Sequence, residues 1–245
     1  MLGGVMPADG VFGYQFNIDF HPTRRIFQND DPTQTWTLVH TPQRHWHTDT
    51  DRSILPLRSL VPAKTGGLVV AGKNLGVSSV VQAAVRLHGH GMLAGQAAAT
   101  LAAVSISTNL EPRNIAVDRA LVVELQRTLL APRDVVTQLP RPGVILWPYQ
   151  DVLPNDAEFA AVNMAAMLGL FRTDDGTPAF AGDRPATADE VTKAVARARE
   201  LCAGLKWKAE PKTRRELVVA LYAALDSAGF FSGAGASGPR VAGTP

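Results

Sequence analysis

Residues 66–106 read GGLVVAGKNLGVSSVVQAAVRLHGHGMLAGQAAATLAAVSI, and this stretch decides the fold. Gly66 and Gly67 interrupt the chain. The run LVVAG (68–72) then has the length and apolar content of a buried strand. A loop, KNLGVSS, leads into a helix rich in Gly95, Ala97, Ala98 and Ala99. Small residues let another backbone come close, so the reading predicts a helix buried on more than one side. Gly72 and Gly76 sit where a strand gives way to a helix N-terminus. Glycine lets backbone approach a ligand, and the first turn of a helix favours anions. The segment therefore suits an anion or cofactor, with an ordinary strand–loop–helix crossover as the alternative.

Upstream, FGYQFNIDFHP and TQTWTLVH alternate apolar and polar residues with a period near 2, the mark of half-buried strands. RRIFQNDDPTQ between them reads as polar turn. SILPLRSLVP follows, where Pro56 and Pro62 limit pairing to an edge or a short strand. Downstream, residues 117–230 read as mostly helical. Asp118 can cap a helix carrying Val122, Leu125 and Leu129. Asn155 with Glu158, Thr187 with Glu190 and Thr213 with Glu216 have capping-box spacing. Behind them run the stripes Phe159, Val162, Ala166, then Val191, Val195, Ala198, Leu205, then Leu217, Leu221, Leu225. Gly169 and Gly229 are the expected stops. The expected organisation is a first domain over 1–131 with its key segment at 66–106, a Pro-rich linker over 132–143, a helical module over 144–230 and a disordered tail over 231–245. The fold class is α+β or an α/β fragment: a partial sheet region followed by a small helical domain.

Composition closes several function classes. The 245 residues are 46% hydrophobic and 19% charged, an ordinary globular balance. Lys+Arg 24 against Asp+Glu 22 gives +2, which supplies no nucleic-acid footprint. The one cysteine, Cys202, excludes an internal disulfide framework and a cysteine-rich zinc site. The longest apolar runs fall short of the ~20 residues of a membrane helix, so no transmembrane segment is expected. MLGGVMPADG has no basic stretch followed by an apolar one, so no signal peptide is expected. As it stands the chain reads as cytoplasmic, with an exported parent protein left open.

Two further motifs compete for a role. Gly233, Gly235 and Gly238 spell Gly-x-Gly-x-x-Gly, but no helix follows them, so a nucleotide site is not expected there. His40, His45, His47, Asp49 and Asp51 include imidazoles and carboxylates that would share a face of an extended segment. A solvated polar loop explains the same spacing, and no metal is expected; a metal-dependent hydrolase built on His45 and His47 is the weakest reading.

The central stretch resembles the cofactor-contacting C-terminal segment of the FAD-dependent oxidoreductase family. The matching residues are Ala71-Gly72-Lys73 with Ser78, Val85-Arg86, and Met92 through Ala99. FGYQFNIDFHP and SILPLRSLVPAKTGGLVV resemble the family's flanking strands, so the likeness covers about residues 10–130. Ala99 replaces the usual final glycine of the helix motif, and His88-Gly89-His90 stands where a Pro-containing turn is usual. The family's strand–Gly-x-Gly-x-x-Gly–helix unit, which holds the ADP half of FAD, has no counterpart in the sequence.

The resemblance implies FAD as cofactor. It implies Gly72, Lys73, Asn74, Gly76, Gly91 and Met92 as cofactor-binding residues, with Asn74 offering a hydrogen bond. The helix opening near Gly91 would aim its positive end at the flavin. His21 and Arg58 are the candidate catalytic or substrate-side groups. Arg86 is a third candidate polar group, or a member of an internal ion pair. The expected partners are a small-molecule substrate and a missing N-terminal FAD-binding segment or subunit. Without that partner, FAD is not expected to be retained. Residues 149–200 resemble a single S-layer homology module through Asp151-Val152, Leu168-Gly169-Leu170, Asp175-Gly176-Thr177, Phe180, Pro185, Thr187 and Glu190. The leading expectation is the cofactor-capping and substrate-side part of an FAD-dependent oxidoreductase. The alternative is a non-catalytic binding or cell-envelope-associated module.

Overall fold

The computed structural model describes residues 7–18, 23–26, 37–40, 53–131, 143–147, 149–171 and 179–232. The architecture is mixed and mostly helical, with two small antiparallel strand pairs. Strand β1, Gly10–Tyr14, pairs with β4, Ser53–Pro56, and its register slips between Gly10 and Phe12. Val11, Phe12, Ile54 and Leu55 are buried on this pair. Strand β2, Thr23–Ile26, pairs with β3, Thr37–His40. Arg24 through Ile26 were expected in a turn. Pairing to the alternating TLVH strand supplies the backbone partners that their own composition does not suggest.

A second correction concerns residues 68–72, which do not form a strand. The segment lies between Gly67 and Gly72, both at positive φ, and Leu68 is 44% exposed. Val70 N–H donates to the Leu60 carbonyl at 2.8 Å, across to a buried 3-10 turn at Leu57–Leu60. An apolar run becomes a strand only where another strand flanks it, and none does so among the described residues.

Helix α1, Ser79–Val85, is capped by the Ser78 hydroxyl, and α2, His88–Thr108, follows at once. The α2 helix buries one stripe, Ala94, Ala97 and Leu101, against β1, α3 at Pro112–Val117 and α4 at Arg119–Leu130. Met92, Gln96, Ala99, Ala103 and Ile106 stay exposed, so burial on more than one side is not seen among the described residues. At 21 residues without a charged side chain, α2 is long and apolar enough to cross a membrane by length and composition, contrary to the expectation that no run reaches that length.

The Asp118 carboxylate caps α4 through the N–H groups of Ala120 and Leu121. Helix α5, Phe159–Leu168, is buried at nine of its ten positions. It packs on α4 and on α7, Arg214–Ser227, while α6, Ala188–Leu201, packs on α7. Thr187 and Glu190 complete the expected capping box. At Thr213 the box is half formed, because the Glu216 carboxylate accepts from Lys212 instead. Asn155 caps nothing: α5 opens three residues after Asp156, whose carboxylate turns the chain through Leu153 N–H, and the Glu158 carboxylate pairs with Arg215. Gly169 and Gly229 adopt left-handed φ at the helix ends as expected.

One hydrophobic cluster runs from Val11 to Phe231, so the helices after residue 143 and those before 131 share a core. Residues 143–147 join the halves. Ile145 accepts from Gly13 at 2.7 Å, and Val144 donates to Leu129 at 2.8 Å. The fully buried Asn163 holds the same segment, its Oδ1 accepting from Leu146 at 2.9 Å and Trp147 at 2.8 Å. Its Nδ2 donates to the Phe159 carbonyl at 3.0 Å.

Replacing Asn163 by Ala strands two buried backbone donors, each costing about 1–3 kcal/mol. Asn163→Ala is therefore expected to lower the urea midpoint sharply, by roughly 2–6 kcal/mol of stability. A midpoint within error of the wild type would show that the strap is held by other means. Cleavage at a protease site engineered between Pro132 and Gly143 should leave two fragments that co-elute on size exclusion, because the shared core is not cut. Separate elution of a folded 144–230 fragment would instead favour an independent helical module.

Candidate functional site

The loop after residue 67 is positioned by the 3-10 turn beneath it. Gly76 N–H donates to the Ser59 carbonyl at 2.8 Å, and a Cβ on Gly76 would lie 3.4 Å from that oxygen, so the approach is close. Asn74 N–H donates to Ala71 at 3.3 Å and closes a turn, leaving the Asn74 side chain exposed. Gln82 on α1 donates to the Lys73 carbonyl at 3.2 Å and ties the loop to the helix.

The loop and the start of α2 meet at two glycines. A Cβ on Gly91 would sit 3.9 Å from Gly72 Cα. Gly72 has φ +65 with nothing within 4 Å of its Cβ position, and Gly89 is equally open. The α2 N-cap is Leu87, whose side chain cannot accept a hydrogen bond, and the first turn holds no acidic residue. The positive end of a long helix dipole is thus left without a capping side chain, beside two backbones bare of side chains. Such a surface presents backbone donors to an electron-rich group.

Two polar atoms nearby lack a hydrogen-bond partner among the described residues, Gln82 Oε1 and His90 Nδ1, and both are buried. The His90 ring lies 5.6 Å from that of Tyr14. Burial pushes the His90 imidazole below its ordinary range, against the backbone hydrogen bonds of Ala84 and Val85. Burial likewise raises the Tyr14 phenol, opposed by a hydrogen bond with Ser53.

The residues expected to hold a cofactor are therefore partly assembled. Gly72 and Gly91 are brought together, Lys73 and Gly76 are pinned beside them, and Met92 projects 73% exposed from the first turn of α2. Arg58 is engaged elsewhere. Its backbone N–H and Nη1 both donate to Asp9, the latter at 2.9 Å, and Leu57 N–H donates to the Asp9 carbonyl. This pair fastens the turn to the start of β1. Arg86 closes α1 through its backbone N–H. His21 lies outside the described residues, as do His45, His47, Asp49 and Asp51 and the glycines Gly233, Gly235 and Gly238. No group of three metal-ligating side chains occurs among the described residues. Sequence reasoning missed Gln82 as the tie between the loop and α1, and the contact of His90 with Tyr14. The His88-Gly89-His90 irregularity was the available signal.

His90 carries a pH prediction. Its folded pKa lies below the unfolded value of 6.5, so the unfolded chain takes up the proton first on acidification. Its contribution is fully present above that value and is lost as the pH falls toward the lower folded pKa. Urea midpoints followed from about pH 7.5 to about pH 5 should fall less steeply for His90→Phe than for the wild type. Parallel curves would remove His90 from the acid response.

The model of the family described as FAD dependent oxidoreductase matches residues 2–129, which contain the loop, the cleft and all of α2. No curated protein and no solved structure matches the chain. With just over half of its length matched by that model, the chain belongs to the FAD dependent oxidoreductase family.

Proposed function

We propose that residues 1–131 are the cofactor-capping and substrate-side part of an FAD-dependent oxidoreductase, with the flavin ring edge seated against the surface that Gly72 and the first turn of α2 form together. The observation that carries this reading is the meeting of Gly72 with Gly91 at an α2 N-terminus that no side chain caps.

FAD, when bound, supplies the hydride and electron chemistry. The chain's own residues bind and orient. Gly72, Gly89 and Gly91 leave room for close approach of the backbone. The first-turn N–H groups of α2 and the aligned peptide dipoles stabilise negative charge that develops at the facing edge. Gln82 fixes the Lys73 backbone and presents an acceptor. A neutral His90 keeps positive charge out of the wall beside Tyr14. In this reading the ADP half of the cofactor is held by a separate strand–Gly-x-Gly-x-x-Gly–helix segment or subunit, and the substrate is a small molecule.

FAD titration followed by absorbance and fluorescence tests the reading. The purified chain should be colourless, and added FAD should bind saturably with Kd between about 1 μM and 1 mM, far weaker than a complete flavin site. Gly91→Ala separates a ligand cleft from an ordinary helix start. Alanine in a helix interior is worth about 0.5–1 kcal/mol over glycine, so the variant should melt higher while binding FAD several-fold more weakly. Stoichiometric FAD recovered with the wild type would overturn the divided site. Unchanged FAD affinity in a stabilised Gly91→Ala would overturn the cleft.

A further inference from the structure

A second cavity, of about 340 Å³, opens at the seam between α4 and the α5–α6 pair, away from the α2 cleft. Its walls carry two guanidinium groups, Arg119 from the first turn of α4 and Arg197 from the middle of α6, and an apolar floor of Met167, Leu168 and Leu201. Each arginine is anchored by part of its fork. Arg119 Nη1 donates to the Ala8 carbonyl at 2.7 Å. Arg197 Nε reaches the Leu168 carbonyl at 3.4 Å, and its Nη1 donates to Glu200 at 2.7 Å.

The anchors account for some of the donors and leave others without a bond among the described residues, namely Arg119 Nε and Nη2 and Arg197 Nη2. The local charge is also unbalanced. Among the described residues Arg58 pairs with Asp9 and Arg197 with Glu200, while Arg119 has no carboxylate at ion-pair distance. Asp9 is already held by two hydrogen bonds from Arg58, so it only attracts Arg119 from a distance. Partial loss of hydration, and then the like charge of Arg197, hold the exposed Arg119 below its ordinary pKa, against the pull of Asp9. Capping the C-terminal end of α5 explains why Arg197 reaches Leu168. It does not explain a second arginine on the same cavity whose fork makes one hydrogen bond among the described residues.

Planar guanidinium forks match the oxygens of carboxylate and phosphate, and two of them on one cavity favour a single shared oxyanion. The volume sits at the low end of small-molecule sites, roughly 300–1,000 Å³, and leaves room for a body behind the head group. We propose that this cavity binds a small amphipathic oxyanion, its carboxylate or phosphate head on Arg119 and Arg197 and a short apolar body on Met167 and Leu201. The site is independent of the flavin reading and uses none of its residues.

Calorimetric titration with hexanoate and with hexyl phosphate, and with hexanol as the neutral analogue, tests it on the intact chain. At least one anion should bind saturably with Kd in the low millimolar range or tighter, and hexanol at least about 10-fold more weakly. The better of the two heads identifies the class. Arg119→Gln and Arg197→Gln should each weaken the anion about 10-fold or more, and Arg119→Lys, which keeps charge but loses the fork, should fall between. No saturable binding of either anion would overturn the proposal. Equal binding of hexanol, or unchanged anion affinity in a folded Arg119 variant, would do the same. The anion–alcohol contrast on the wild type stands even where a variant fails to fold.

Discussion

The fold turns on one buried amide. Asn163 lies in an otherwise apolar helix with no solvent exposure, and its side chain meets the backbone of residues 146, 147 and 159. An irregular segment inside a core carries polar groups that water would normally satisfy. Here a single carboxamide oxygen takes two of those donors. That lets residues 143–147 pass between β1 and α4 with Ile145 bonded to Gly13 and Val144 to Leu129. Gly143 shows how tight the passage is, since a Cβ there would lie 2.5 Å from the Leu130 carbonyl oxygen. The same seam brings α5 and α6 against Arg119 and so creates the second cavity. Gln126 plays a matching role on α4, where its Nε2 donates to the Ala8 and Gly10 carbonyls and sets the start of β1.

The α2 cleft rests on a different kind of constraint, the absence of side chains. A capped helix would turn its first donors inward, onto its own N-cap. Leu87 does not, and Gly72 and Gly89 add no side chain beside them, with nothing within 4 Å of either Cβ position. The buried turn at Leu57–Leu60, fixed by Asp9 and Arg58, holds the facing loop in place. Glycines thus form the exposed surface of the loop and the start of α2, while an ion pair fixes the turn that holds the loop.

Local chemistry was legible in the sequence and tertiary neighbours were not. Asp118, Thr187, Gly169 and Gly229 act as their residue types dictate, because capping involves partners within four positions along the chain. The structure brings Gly72 and Gly91 together, a contact across 19 positions that neither residue's type announces. The run LVVAG failed as a strand because strand identity belongs to the flanking chain rather than to the run itself. The small residues of α2 suggested two-sided packing, yet composition cannot say how many neighbours arrive. Asn155 lost its cap to Asp156, two acceptors competing for one turn. Arg119 and Arg197 are far apart in sequence, and neither carries a motif that would pair them.

The bare face of α2 has a chemical consequence. Met92 stands 73% exposed near the start of α2, whereas Met164 and Met167 are 0% and 2% exposed. Peroxide attacks a thioether in proportion to its access, so Met92 is the sulfur most open to sulfoxide formation among these three. The product is polar and chiral, and it would sit one residue from Gly91, at the rim that any occupant of the cleft must cross. The entrance to this site therefore carries its own record of oxidant exposure.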